Sequence, residues 1–153
     1  MALMSFYKRK WLRHTRPSWV DESDPVFITF VGKIRRVNQF ASPECWKSIV
    51  DTIDYLEKQK ICIPMLLLAM PDHIHMLIMV SSNVGIRKFI LKFKRVCGYG
   101  RGIQWQRGAF DHRIRNKDSY VEKWEYILLN PVRAGLVTHQ NFWPYVKIWK
   151  RDG

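Results

Sequence analysis

Acidic residues are scarce in this chain. Against 26 Lys and Arg stand only 13 Asp and Glu, leaving a formal net charge of +13 at pH 7. Such an imbalance argues against basic partners and for polyanions, because a strong positive field concentrates nucleic acid and neutralises its phosphates. Cysteine is sparse too. Cys45, Cys62 and Cys97 are far apart and form no Cys-x-x-Cys pair, which excludes a disulfide framework and a cysteine-built zinc cluster. They are expected to be reduced thiols serving as small core hydrophobes, in a cytoplasmic setting.

Long hydrophobic runs are missing as well. The longest, from Ile61 to Met70, is broken by Pro64 and falls short of the roughly 20 apolar residues that cross a bilayer. Only Met1 to Tyr7 precede the cluster Lys8, Arg9 and Lys10, so no secretory leader is expected and no membrane association is assigned. There is no internal repeat and no low-complexity stretch. What is present is a chain of 153 residues, 47% hydrophobic and 14% aromatic, enough to bury one ordinary core.

Residues 1–24 mix Lys8, Arg9, Lys10 and further arginines with Trp11 and Trp19, and read as a basic, aromatic arm. Val26 to Val31 is β-branched and aromatic, closed by Gly32, and predicts a first strand. Ser42-Pro43 opens a helix, with Trp46, Ile49, Val50, Ile53, Tyr55 and Leu56 as its apolar set. Ile61 to Ala69 and then 73–80 predict two buried strands joined by a tight turn at Pro71-Asp72. Ile86, Phe89, Ile90 and Phe93 recur at helical spacing until Gly98. Gln104 to Ile114 predicts one short strand or two extended pieces. A third helix is expected from Asn116 or Ser119, with Val121, Trp124, Ile127 and Leu128 inward, ending near Asn130 because Pro131 disfavours helical geometry in its predecessor.

Strand, helix, strand, strand, helix, strand and a further helix predict an α+β fold. It is a ferredoxin-like, RRM-like antiparallel sheet with helices on one face and an added C-terminal helix. The domain reading is an arm over 1–24, a main domain over 25–136 and a tail over 137–153.

Inside the third strand His73 and His75 are two residues apart, so strand alternation projects both rings to one side while Ile74 and Met76 cover the other. Two imidazoles on one face can bind a metal ion or a phosphate, or can be hydrogen-bonded core groups. A buried ring without partners costs about 1–3 kcal/mol. On the third helix Tyr126 and Asn130 are four apart and share a face. A phenol that attacks phosphorus, beside a cation held by His73, His75 and Asn130, makes chemical sense as phosphodiester cleavage. Tyr120, six residues before Tyr126, falls on a different face. Asp72 and Asp111 are candidate groups behind the ligands, and a turn role also fits Asp72.

Three blocks in order carry a resemblance: Met70-Pro71-Asp72-His73-Ile74-His75-Met76-Leu77; Trp105-Gln106-Arg107 with Phe110 and Ile114-Arg115; and Tyr126 through Leu136, reading YILLNPVRAGL. Together they resemble the REP-associated tyrosine transposases, relatives of single-tyrosine insertion-sequence transposases in the HUH nuclease superfamily, over roughly residues 25–146. The resemblance implies Tyr126 as nucleophile, His73 and His75 as metal ligands and Asn130 in the third-ligand position. It further implies a divalent ion, Mg2+ or Mn2+, single-stranded DNA with palindromic hairpins, and a 5′-phosphotyrosine that is rejoined by strand transfer. Insertion-sequence relatives commonly carry Gln at the third-ligand position, and Asn130 points to the REP-associated branch. That branch favours a monomer, with a homodimer as the alternative.

For DNA contacts the basic side of the second helix, Lys88, Lys92 and Arg95, is expected to act with Tyr99, Arg101 and the Lys8-Arg9-Lys10 arm. Trp11, Trp19 or Trp105 would offer stacking surfaces. The competing function is a non-catalytic nucleic-acid-binding module of the same fold. A metal-dependent hydrolase of small substrates leaves the charge unexplained.

Overall fold

A computed structural model of the chain describes residues 24–99 and 101–150. The arm, with Lys8, Arg9, Lys10, Trp11 and Trp19, lies outside the described residues. The elements run β1 (Val26–Val31), α1 (Pro43–Lys58), β2 (Cys62–Ala69), β3 (His73–Val80), α2 (Ile86–Gly98), β4 (Phe110–Arg113), α3 (Lys117–Arg133) and β5 (Val146–Ile148). The strands form one antiparallel sheet in the order β4-β1-β3-β2-β5. The first four strands make two interleaved split β-α-β units, which is the expected ferredoxin-like arrangement. Residues read as a tail add β5 to the edge at β2, where the Ala69 amide donates to the Tyr145 carbonyl at 2.9 Å.

Strand alternation divides the core in two. Ile74, Met76 and Ile78 of β3 join Val26, Ile28 and Phe30 of β1 under α1 and α2. On the other face Leu77 and Met79 meet Tyr120, Trp124 and Ile127 of α3. The first two helices therefore share one face and α3 covers the other. Pro64 is tolerated within central β2 because the ladder shifts register between Pro64 and Leu66, and a bulge needs no donor there. Beyond it Met65 and Leu66 both belong to the α3 side.

The helix ends follow their caps. Ser42 accepts from the Cys45 amide at the start of α1, with Pro43 at the first helical position. Tyr55, expected in the apolar set of α1, is instead half exposed. Of the two expected starts for α3, Asn116 is the cap, its Oδ1 accepting from Ser119 N at 2.8 Å. The expected end at Asn130 is corrected: α3 continues to Arg133 with Pro131 inside it. Pro131 is buried, and the turn beyond it closes in a Schellman pattern. Leu136 N donates to Pro131 O and Gly135 N to Val132 O, with Gly135 at φ 75°. Packing and capping outweigh the local preference against a helical residue before proline. The 104–114 segment resolves as two extended pieces, a bridge from Gly32 to Trp105 and the short β4.

Candidate active site

The α3 face of the sheet opens into a cleft of about 540 Å³ beside the start of β3, lined among others by His73, His75, Tyr126 and Asn130. Two local periodicities converge there. His73 and His75 come from strand alternation, with ring centroids 4.6 Å apart. Tyr126 and Asn130 come from successive turns of α3, and the Tyr126 ring centre lies 5.7 Å from that of His75. All four residues read from the sequence as the catalytic set thus share one hollow.

His75 is buried and fully engaged. The Asn130 amide nitrogen donates to its Nε2 at 3.1 Å, so the neutral ring keeps its proton on Nδ1, which meets the Thr29 hydroxyl at 2.9 Å. Phe27 stacks on the ring at 5.4 Å. Burial, reinforced by neighbouring His73, pulls the His75 pKa down to about 3, so the ring is held neutral as a ligand or hydrogen-bond acceptor must be.

His73 is oriented from behind. Its Nδ1 pairs with Asp72 Oδ1 at 2.8 Å, which leaves Nε2 for the cleft. The other carboxylate oxygen of Asp72 accepts from Arg35 Nε and from the Arg36 amide, each at 3.0 Å. Burial by itself would raise the Asp72 carboxyl, but the Arg36 amide, the His73 ring and the Arg35 guanidinium outweigh it and hold the group at about 2. Asp72 is thus both the turn residue and a support for His73. Asp111 plays no such part: it pairs across from Ile28 and faces the α2 side, lining a separate hollow with Arg87 and Arg107.

Tyr126 is 40% exposed, whereas Tyr120 is fully buried, its hydroxyl 3.3 Å from Met65 Sδ. Only the former can meet a strand from solvent. Two cations flank the Tyr126 ring, Lys123 Nζ and Arg133 Cζ, each 5.9 Å from its centre. Among the described residues no group of three or more His, Cys, Asp or Glu side chains could hold a metal. The two histidines alone fall short of that number, and the side chain within hydrogen-bond distance of His75 from α3 is the Asn130 amide.

The basic residues read on α2 are not in the cleft. Phe89, Ile90, Phe93 and Cys97 bury one side of that helix against the opposite face of the sheet. Lys88, Lys92 and Arg95 are therefore exposed on the far side of the molecule, with Tyr99 and Arg101 exposed just beyond the helix. Trp105, expected as a stacking surface, instead packs against Phe30, Phe40 and Phe93 with centroids 5.1 to 6.0 Å away. Sequence reasoning assigned no site role to Phe27, Thr29, Arg35, Lys123 or Phe110, the last quoted only within a motif block, although all five line the cleft. Of these only Lys123, one turn before Tyr126, carried a helical-spacing signal.

Fold and cleft together define an α+β sheet protein with a histidine pair, a phenol and an amide on one sheet face. The proteins it is similar to are transposases. A Haemophilus influenzae protein assigned as a REP-associated tyrosine transposase is 30% identical over 93 residues, covering 50% of this chain and 53% of that one. The REP-associated tyrosine transposase of Escherichia coli is 30% identical over 81 residues, covering 50% and 48%. The chain spans about half the length of these curated relatives, and the resemblance read from its motifs is borne out by them. No family model matches the chain. Among solved structures, a REP-associated tyrosine transposase bound to a REP hairpin superposes with a TM-score of 0.67 at 22% identity, over 86% of this chain and 79% of that one. A Deinococcus radiodurans protein assigned as a transposase gives 0.50 at 16% identity, over 67% and 87%. At these identities the structures show the shared fold.

Proposed function

We propose that the chain is a REP-associated tyrosine transposase of the single-tyrosine HUH type, cutting single-stranded DNA beside palindromic hairpins and transferring the strand. The observation that carries this is the convergence of Tyr126 with His73, His75 and Asn130 on one exposed cleft. Sequence similarity to two REP-associated relatives supports it, as does the fold shared with a transposase bound to a REP hairpin.

The donor set fits a divalent ion. Both histidines have Nδ1 occupied, by Thr29 and by Asp72; His73 keeps its Nε2 for a metal, whereas the Nε2 of His75 accepts from the Asn130 amide nitrogen and would exchange that hydrogen bond for the ion. Asn130 carries an amide oxygen besides the nitrogen now on His75. His73, His75 and Asn130 would hold Mg2+ or Mn2+, which when bound polarises the scissile phosphate and offsets the charge that develops on it. Tyr126 then attacks phosphorus through its phenolic oxygen. The new bond is phenolic O–P, the bond broken is P–O3′, and the 3′ oxygen leaves with a proton while the phenol releases its own to solvent. The products are a 5′-phosphotyrosine and a free 3′-OH, and the reverse attack joins strands without a nucleoside triphosphate. Lys123 and Arg133, each 5.9 Å from the ring centre, bring positive charge to the incoming phosphate.

The test is a denaturing gel of protein with labelled single-stranded hairpin DNA from beside its own gene, in Mg2+ or Mn2+. A covalent adduct that disappears in Tyr126→Phe and on chelation is expected. Binding without an adduct in either metal on several hairpins would replace this reading with a non-catalytic binding module.

A further inference from the structure

Phe110 is the anomaly of the cleft. It lies on edge strand β4, 69% exposed, in a strand whose other residues are Asp111, His112 and Arg113. Solvent-facing edge positions are ordinarily polar, and a large ring left in water gains from any apolar partner. The ladder fixes where this ring stands: Phe110 is opposite Thr29, whose hydroxyl meets His75, so it belongs to the histidine face. It lines the same cleft as Tyr126 and Asn130, and the cations Arg35 and Lys123 line it too. Tyr126 apart, the other large hydrophobics exposed among the described residues, such as Leu91, Tyr99 and Phe142, are not part of that lining.

We infer that Phe110 is a stacking platform for one unpaired base of the substrate strand, next to the phosphate that Tyr126 attacks. This rests on the single-strand reading above. An open aromatic face bordered by cations matches the chemistry of a nucleotide in single-stranded form, the base on the ring and its phosphates on the basic groups. A duplex would present no base face to it. Stacking there fixes the register of the strand, so Phe110 selects which phosphodiester lies over the histidine pair. It is a positioning residue and takes no part in bond making.

The experiment uses the full chain carrying Tyr126→Phe, so that bound DNA stays intact, and hairpin oligonucleotides with 2-aminopurine or an abasic site at each successive position beside the stem. At one position fluorescence is expected to be quenched on binding, and removal of the base there to weaken binding about tenfold. Phe110→Tyr retains both effects. Phe110→Leu, which keeps an exposed apolar side chain and disturbs no core contact, loses the quench and becomes indifferent to the abasic site. Equal quenching and equal abasic sensitivity with and without the Phe110→Leu substitution would overturn the platform. The adduct gel with Tyr126 intact separates the two ideas. An adduct without position-specific quenching rejects the platform and keeps the transposase, whereas quenching lost in the leucine variant, without any adduct, keeps the platform and rejects the nuclease.

Discussion

Single side chains in this cleft each do two jobs, and Asp72 is the clearest case. Its carboxylate holds the His73 ring on one oxygen and the loop after β1 on the other, through Arg35 and the Arg36 amide. Removing it frees the ring to rotate and choose its tautomer while leaving the core intact, since the group sits at the rim of the sheet. Asp72→Ala is expected to slow adduct formation about ten- to a hundredfold, the usual cost of losing a group behind a ligand. Asp72→Asn, whose amide oxygen can still accept from His73, should be the milder of the two. Circular dichroism shows whether the fold is kept, and equal rates for all three proteins would remove Asp72 from the site. At this scale the sequence was informative about the polar groups with local partners. Thr29 was invisible, because its tie to His75 spans 46 residues and depends on which strand β1 pairs with.

Among the elements, α3 connects stability to the site. Its buried stripe of Tyr120, Trp124, Ile127 and Pro131 seats it on the sheet, and the same helical spacing turns Tyr126 and Asn130 toward the histidines. The turn that ends it depends on Gly135, whose φ of 75° is natural for glycine and strained for other residues. A Cβ there would meet nothing within 4 Å, so the cost of Gly135→Ala is conformational only. It should be about 1 kcal/mol, and thermal unfolding should fall by about 2–4 °C in a domain of this size. An unchanged midpoint would mean that the turn does not hold the helix end. The helix itself was legible from its period and from Asn116, while its last turn was not. A rule about residues before proline spoke against it locally, and only burial of Pro131 and the closing hydrogen bonds overrode that rule.

Across the whole molecule, positive charge is spread over both sides of the sheet. Arg35 and Lys123 lie at the cleft, and Lys88, Lys92 and Arg95 lie on exposed α2 behind it. With a net charge of +13, binding of single-stranded DNA should weaken steeply as salt rises, by about 0.7 in the logarithmic slope for each phosphate neutralised. Arg35→Gln or Lys123→Gln should each lower the magnitude of that slope by about 0.7, one phosphate contact. Fluorescence anisotropy across a salt series measures it. A slope unchanged in both variants would show that phosphates bypass the cleft, and the same measurement on Lys88→Gln and Lys92→Gln tells whether the strand also reaches the α2 side. No helix among the described residues is long and apolar enough to cross a membrane.

The sequence by itself determined what short-range geometry controls. Alternation in β3 put both imidazoles on one face, four-residue spacing in α3 paired the phenol with the amide, and the order of elements pointed to a split β-α-β sheet. These are consequences of backbone periods that act within one or two turns or a few strand residues. Only the tertiary structure decided that α3 takes the face opposite α1 and α2, that β1 brings Phe27 and Thr29 to His75, and that β4 sets Phe110 beside them. It likewise put the α2 cations on the far side of the sheet. Those outcomes depend on pairing register and on which apolar stripe each helix buries, and such contacts join residues dozens of positions apart that no local pattern relates.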